Sequence, residues 1–434
     1  MFKTLPTIPS FAPARVLRFG SSVRTRATGH RHGATMRKGT TIATSALHSF
    51  FVGGFECSSH YVRPGERLDE IAATGHDRWA RKDYERLRAR DIRVARDGVR
   101  WHLVEPAPGR YDFSSVLPMI RAARDTGTQV IWDLCHYGWP DDLDIFGPAF
   151  VARFARYARA FATLLANETD DVPVFAPINE ISFFAWAGGE VAYFHPFATH
   201  RGDDLKAQLV RAAIAGIEAV RDVRRDARIV HVDPLINVVA ASACPGECAA
   251  AEGYRCAQYQ SWDMVSGRLC PELGGGEQYL DIVGINYYPQ NQWIHGRAGF
   301  DPGGAIGRLD PRYRPFRAML AEVYERYRRP LLIAETGADA AARPGWLRHI
   351  GDEVRAAMEA GVPVEGICLY PIVNFPWWDT GQHLQNGLWD YPPGPAGGRR
   401  LYRPLAAELQ RQQRAIDRWP LPAEELPTAE AAAG

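Results

Sequence analysis

The chain has 434 residues, 46% apolar and 23% charged, with a formal net charge of +1. This is globular composition, which excludes disordered and collagen-like classes, and the near-zero charge removes the electrostatic case for nucleic acid or an anionic membrane as partner. No apolar run approaches the roughly 18 residues that span a bilayer, so a soluble, cytoplasmic protein acting on a neutral small molecule is expected.

The first 47 residues carry Lys3, Arg15, Arg18, Arg24, Arg26, Arg31, Arg37 and Lys38 with no Asp or Glu. Such a segment has the composition of a transit peptide but no continuous apolar signal core. The expectation is a disordered basic extension, or a reading frame whose true start is Met36. From residue 48 the pattern changes. Eight short apolar or aromatic runs, "SFFVGGFE", "IRVARDGVRW", "QVIWDLCHY", "VFAPINE", "RIVHVDPLI", "LDIVGINYY", "PLLIAETGA" and "VEGICLYPI", read as strands. Between them Phe150, Phe154, Tyr157, Phe161 and Leu164, or Leu347, Ile350, Val354 and Met358, recur at helical spacing. Strands apolar on both faces that alternate with amphipathic helices predict a parallel sheet, and eight such units favour a closed (β/α)8 TIM barrel of the α/β class. It is expected to fill residues 48–419 as one domain, with 420–434 a frayed tail.

Seven cysteines occur, and Cys244, Cys248, Cys256 and Cys270 cluster. Only the first pair has zinc-like spacing, so free thiols are expected ahead of disulfides, and no metal site. No Gly-rich phosphate loop and no G-x-G-x-x-G joins a strand to a helix, so no nucleotide cofactor is expected.

Barrel chemistry belongs at the C-terminal ends of strands. Taken in order, those ends carry His60, Arg96, His136 with Tyr137, Asn179 with Glu180, Asn286 with Tyr287 and Tyr288, Glu335, and Asn374 with Trp377, Trp378 and Asp379. A lone strand-end Glu is usually a surface ion-pair member. Two carboxylates ending separate apolar strands, one with Asn beside it and the other within reach of Arg and Tyr, suit glycosidic cleavage: one acts as acid and then base, the other as nucleophile. The aromatic residues fit the apolar faces of a pyranose, and the histidines do not have metal-ligand spacing.

These segments resemble the glycoside hydrolase family 1 β-glycosidases over most of residues 49–405. "APINEI" is similar to the family's T-x-N-E-P, which implies that Glu180 is the acid/base and that Asn179 binds the sugar 2-hydroxyl. "IAETGA" resembles T-E-N-G and implies Glu335 as nucleophile. "VARDGVRW" and "GINYYP" imply Arg96 and Tyr288 as its supports. "LCHYGWP" resembles H-W-D-x-P, with His136 contacting the glycone and Tyr137 replacing Trp. His60 and, from the loop after the last strand, Trp377, Trp378 and Asp379 are also expected to bind the sugar. Two departures are evident: "GGFECSSHYV" puts His60 where a Gln is usual, and "NFPW" puts Pro376 where a Glu is usual. The reading is a cofactor-independent retaining β-glycosidase acting on a glycoside, without nucleic-acid or membrane partners. A transglycosidase using the same pair, or a non-catalytic carbohydrate-binding barrel, are the alternatives.

Overall fold

The computed structural model describes residues 46–297, 303–390 and 398–418. The basic extension up to residue 45 and the tail from residue 419 lie outside the described residues. Eight parallel strands close into one barrel: β1 Phe51–Gly54, β2 Val94–Gly98, β3 Gln129–Asp133, β4 Val174–Ala176, β5 Arg228–Pro234, β6 Ile282–Asn286, β7 Leu331–Thr336 and β8 Val364–Leu369. Each pairs with its neighbours in chain order, and β8 closes on β1 through Phe51 opposite Ile367. Each strand falls inside one of the eight runs read from the sequence. Crossover helices α1 His76–Arg88, α2 Leu117–Thr126, α3 Ala149–Glu168, α4 Gly202–Val223, α5 Gln260–Val265, α6 Phe316–Tyr327, α7 Arg343–Glu359 and α8 Arg403–Asp417 cover the outside.

Alternation along each strand divides the core into two. Val52, Val94, Ile131, Val174, Val230, Ile282, Leu332 and Cys368 fill the barrel interior. Their neighbours Phe51, Ala95, Trp132, Phe175, Ile229, Val283, Ile333 and Ile367 face the helices. In α3 the expected stripe is buried at Phe150, Phe154, Tyr157 and Phe161, then passes to Leu165 while Leu164 is half-buried. In α7 it runs through Leu347, Ile350 and Val354 to Ala357, with Met358 half-buried. α3 and α4 approach closely because Gly216 of α4 faces Phe154; a Cβ there would lie 2.6 Å from the ring. No described helix is long and apolar enough to cross a membrane. All seven cysteines are free thiols.

One strand breaks its alternation. Ile333 of β7 pairs with Ile285 of β6, yet the next β6 residue, Asn286, pairs with Glu335. Against β8, Ile333 pairs with Ile367 and Thr336 with Leu369. From Ile333 to its end the strand thus carries one residue more than either neighbour, a bulge of the kind that re-aims side chains next to active sites. Ala334 already faces the barrel interior, and unbroken alternation would send Glu335 outward. The bulge turns Glu335 in and Thr336 out, where its hydroxyl donates to the Tyr287 carbonyl at 2.7 Å and accepts from the Trp346 indole at 2.8 Å.

Candidate active site

Arg96 stands at the centre of the C-terminal mouth. Opposite it on β1 is Gly54, where an added Cβ would lie 2.2 Å from the Tyr370 ring. The fully buried guanidinium donates from Nη1 to Glu335 at 2.7 Å and to the Ala334 carbonyl at 3.0 Å. Nε and Nη2 grip Asp133 at 2.9 and 2.6 Å, and Nη2 also reaches Asn179 Oδ1 at 2.6 Å. Only a planar fork of five donors meets three side chains and a carbonyl at once; a lysine ammonium has three donors at one point. The second oxygen of Glu335 accepts from the Tyr288 hydroxyl at 2.9 Å. Burial raises the Glu335 carboxyl and Arg96 lowers it, with the nearby Glu180 carboxylate adding to the rise; the net direction is upward.

Glu180 follows β4 and caps a short helix with a left-handed backbone, φ +45°. Its N–H donates to the Val232 carbonyl of β5 at 3.0 Å, which fixes the turn. Two donors meet its carboxylate: Asn286 Nδ2 at 2.9 Å on one oxygen and the Tyr137 hydroxyl on the other. Burial raises this carboxyl as well, and the two hydrogen bonds only partly offset it. Among the described residues no cation touches Glu180, whereas Arg96 pairs directly with Glu335. A guanidinium beside Glu335 favours its charged form, and Glu180 has only neutral donors to do the same.

Asn179 joins the two carboxylates. Because its Oδ1 accepts from Arg96, its Nδ2 faces His136 Nε2 at 3.0 Å and the Tyr137 hydroxyl at 2.9 Å. His136 then accepts at Nε2 and donates from Nδ1 to Asp133 at 2.9 Å, the neutral tautomer. A continuous hydrogen-bonded chain runs Glu335, Arg96, Asn179, Tyr137, Glu180. Cys57, Asp133 and His136 bring three ligand-type atoms within 4.8 Å of one another. The guanidinium already bonded to both Asp133 oxygens opposes a cation there, and burial raises the Cys57 thiol well above its usual range, so the trio is a hydrogen-bonded support for Arg96.

Six residues singled out in the sequence, Arg96, His136, Asn179, Glu180, Tyr288 and Glu335, converge here. His60, 1% exposed, lies on the adjoining wall with its ring 4.8 Å from that of Trp378 and 5.7 Å from that of Tyr137. Trp377 and Asp379 are placed elsewhere. The loop after β8 doubles back through the Pro376–His383 bridge, and its tip rests on the hairpin Tyr61–Arg67 that follows β1. Asp379 is tied there by Arg63, on its carbonyl at 2.8 Å, and by Tyr193, on its carboxylate at 2.8 Å. Together with Trp377 it lines a groove of about 200 Å³ at the mouth.

Sequence reasoning passed over Asp133, Glu56 and the contact between Tyr137 and Glu180. Asp133 and Glu56 carried the signal that exposed Glu180, a carboxylate ending a buried apolar run. Glu56, 7% exposed, accepts from the Ser58 N–H at 3.1 Å and stands 3.9 Å from His136 Nε2.

No protein-family model and no curated protein matches the chain. Solved structures do. The family 1 β-glucosidase from Thermotoga maritima superposes with a TM-score of 0.64 at 17% identity, over 78% of this chain and 87% of that one. The same organism's β-glucosidase in complex with castanospermine gives 0.67 at 16% identity, over 86% and 99%. The AHE enzyme from Alicyclobacillus herbarius gives 0.69 at 16% identity, over 88% and 100%. The chain is a (β/α)8 barrel of the form that the family 1 β-glucosidases share.

Proposed function

We propose that the protein is a retaining β-glycosidase that hydrolyses O-glycosidic bonds by double displacement. The observation that carries this is the unequal setting of two carboxylates at one barrel mouth: Glu335 against a guanidinium and a tyrosine hydroxyl, Glu180 against neutral donors alone. The Glu335 carboxylate attacks the anomeric carbon while Glu180 gives its proton to the departing oxygen, leaving a glycosyl ester on Glu335. Glu180, now ionised, takes a proton from the incoming water, whose oxygen displaces Glu335 and restores both groups. Arg96 and Tyr288 keep the nucleophile charged and aimed, and Asn179 is within reach of the sugar 2-hydroxyl. This chemistry needs no cofactor beyond the pair. Seven free thiols suit the cytoplasm as its place of work. Resemblance of fold to β-glucosidases supports the reading as analogy.

Chemical rescue tests it. Glu335→Ala should lose hydrolysis of aryl β-glycosides and regain turnover in azide, with the α-glycosyl azide as product. Undiminished activity of Glu335→Ala without azide would remove the mechanism.

A further inference from the structure

Glu180 occupies the N-cap position of the short helix Ile181–Phe184, yet its side chain makes no cap bond. An N-cap side chain ordinarily accepts from an N–H of the first helical turn, which has no partner within the helix. Here the carboxylate is turned into the mouth, towards Asn286 and Tyr137. The acceptor comes from another strand. Asp233 of β5 takes the Ser182 N–H on Oδ1 at 2.9 Å, and the Ser261 hydroxyl of α5 donates to its other oxygen.

β5 points Val230 and Val232 into the barrel, so Asp233, 1% exposed, stands on the helix side, behind the turn and outside the mouth. The backbone of that turn is tied at three points. The Asn179 N–H donates to the Cys135 carbonyl at 2.9 Å, the Glu180 N–H to the Val232 carbonyl at 3.0 Å, and the Ser182 N–H to Asp233. The first two bonds join main chain to main chain and would outlast a change of side chain. Only the third is written in a residue type. A residue other than glycine at φ +45° stays there only where its surroundings over-determine the conformation.

A carboxyl is an unfavourable filler for this place. Burial pushes Asp233 up to about 7, against the pull of the Ser261 hydroxyl, the Ser182 N–H and the Lys206 charge. Lys206 of α4 gives its hydrogen bond to Gln260, at 2.6 Å. An apolar side chain would need no partner at all. At Glu180 burial is the main cause of the raised pKa, and the charge of Asp233 adds to it from behind.

We propose that Asp233 is the positioning residue of the acid/base: from the helix side of β5 it caps the helix that Glu180 opens and fixes the left-handed turn that aims Glu180 into the mouth. It touches no substrate. This rests on the β-glycosidase reading.

The test compares Asp233→Asn, which keeps an acceptor for the Ser182 N–H, with Asp233→Ala, which does not. A misaimed acid matters where the leaving oxygen needs a proton and little where it leaves without one. On an alkyl β-glycoside of the sugar that wild type prefers, Asp233→Ala should lower kcat/KM by about 30-fold, part of the ~10²–10⁴-fold that general acid–base catalysis supplies. On the dinitrophenyl β-glycoside the loss should be less than about threefold. Azide displaces Glu335 from the glycosyl ester without help from a base, so it should raise kcat of this variant on the dinitrophenyl substrate and yield the β-glycosyl azide. Asp233→Asn should stay within about threefold of wild type on both substrates. Ser261→Ala frees the second oxygen of Asp233 and should show the alanine pattern at about fivefold; it decides the matter if Asp233→Ala does not fold. Equal losses on both substrates, no loss on either, or an asparagine variant as impaired as the alanine one would overturn the assignment. If wild type hydrolyses no glycoside, the glycosidase reading has failed by itself, and hydrogen exchange of the Ser182 amide then tests the clamp. Exchange should be about tenfold faster or more in Asp233→Ala than in wild type or Asp233→Asn, and equal rates would overturn the role of Asp233.

Discussion

The Tyr137 hydroxyl donates to Glu180 and accepts from Asn179 Nδ2 at 2.9 Å, so a single phenol oxygen touches both residues at the end of β4. Its bond stabilises the ionised form of Glu180, which in the proposed mechanism is the form left once Glu180 has given up its proton. Tyr137→Phe should therefore raise the Glu180 pKa and move the alkaline limb of the pH–kcat/KM profile to higher pH. The rate with poor leaving groups should fall about tenfold, and with activated aryl leaving groups much less. A profile that does not move would mean that the phenol serves packing alone.

Asp133 neutralises much of Arg96 before Glu335 meets it. With Asp133→Asn the guanidinium charge falls more fully on Glu335, which favours its carboxylate form, so the acid limb of the same profile should shift to lower pH. Removing one partner of a buried pair also destabilises by about 3–5 kcal/mol, and the melting temperature should fall accordingly. An unshifted acid limb in a variant that still folds would separate Asp133 from the chemistry.

Asp379 lies at the rim, bonded to Arg63 and Tyr193. Asp379→Ala should change kcat/KM on small aryl glycosides by less than about threefold, the range of a partly exposed polar contact. A loss above 30-fold would bring this side chain to the sugar.

Glu70 is buried, with neither carboxyl oxygen bonded among the described residues. Burial first, then the charges of Glu56 and Asp69, push its pKa up to about 10. Since the folded value exceeds the unfolded value of about 4.3, stability is fully present below that value and is lost as pH rises toward the folded one. Glu70→Gln stays neutral throughout. It should match wild type near pH 3.5 and be more stable at pH 8, by on the order of 1–3 kcal/mol. Thermal melts at the two pH values check this, and an equal difference at both would mean that Glu70 is already ionised in the folded protein.

The barrel was legible because its strands are buried on both faces, so Val94, Ile131, Val174 and Ile282 stand in apolar runs that no exposed strand would carry. Arg96, Asn179 and Glu180 were legible as polar groups where such runs end. Alternation alone would have lost Glu335, since it takes no account of the bulge before it. Trp377 and Asp379 follow an apolar strand as directly as Glu180 does, but their place depends on how the loop after β8 folds onto the hairpin after β1. That contact joins residues more than 300 positions apart, as in the bond from Arg63 to Asp379. Local sequence does not encode it. Tyr137 reads as a substitute sugar platform until its hydroxyl is found against Glu180, because side-chain direction at its φ of +65° does not follow strand alternation.

The extra residue in β7 makes the aim of Glu335 a matter of backbone length as well as side-chain identity. A designer who grafts this strand into another barrel must carry over the bulge along with the span from Leu331 to Thr336, because the same residues in regular pleating would deliver the carboxylate to the helix layer beside Trp346. Such a graft would keep every residue type of the original and still lack the second carboxylate at its mouth.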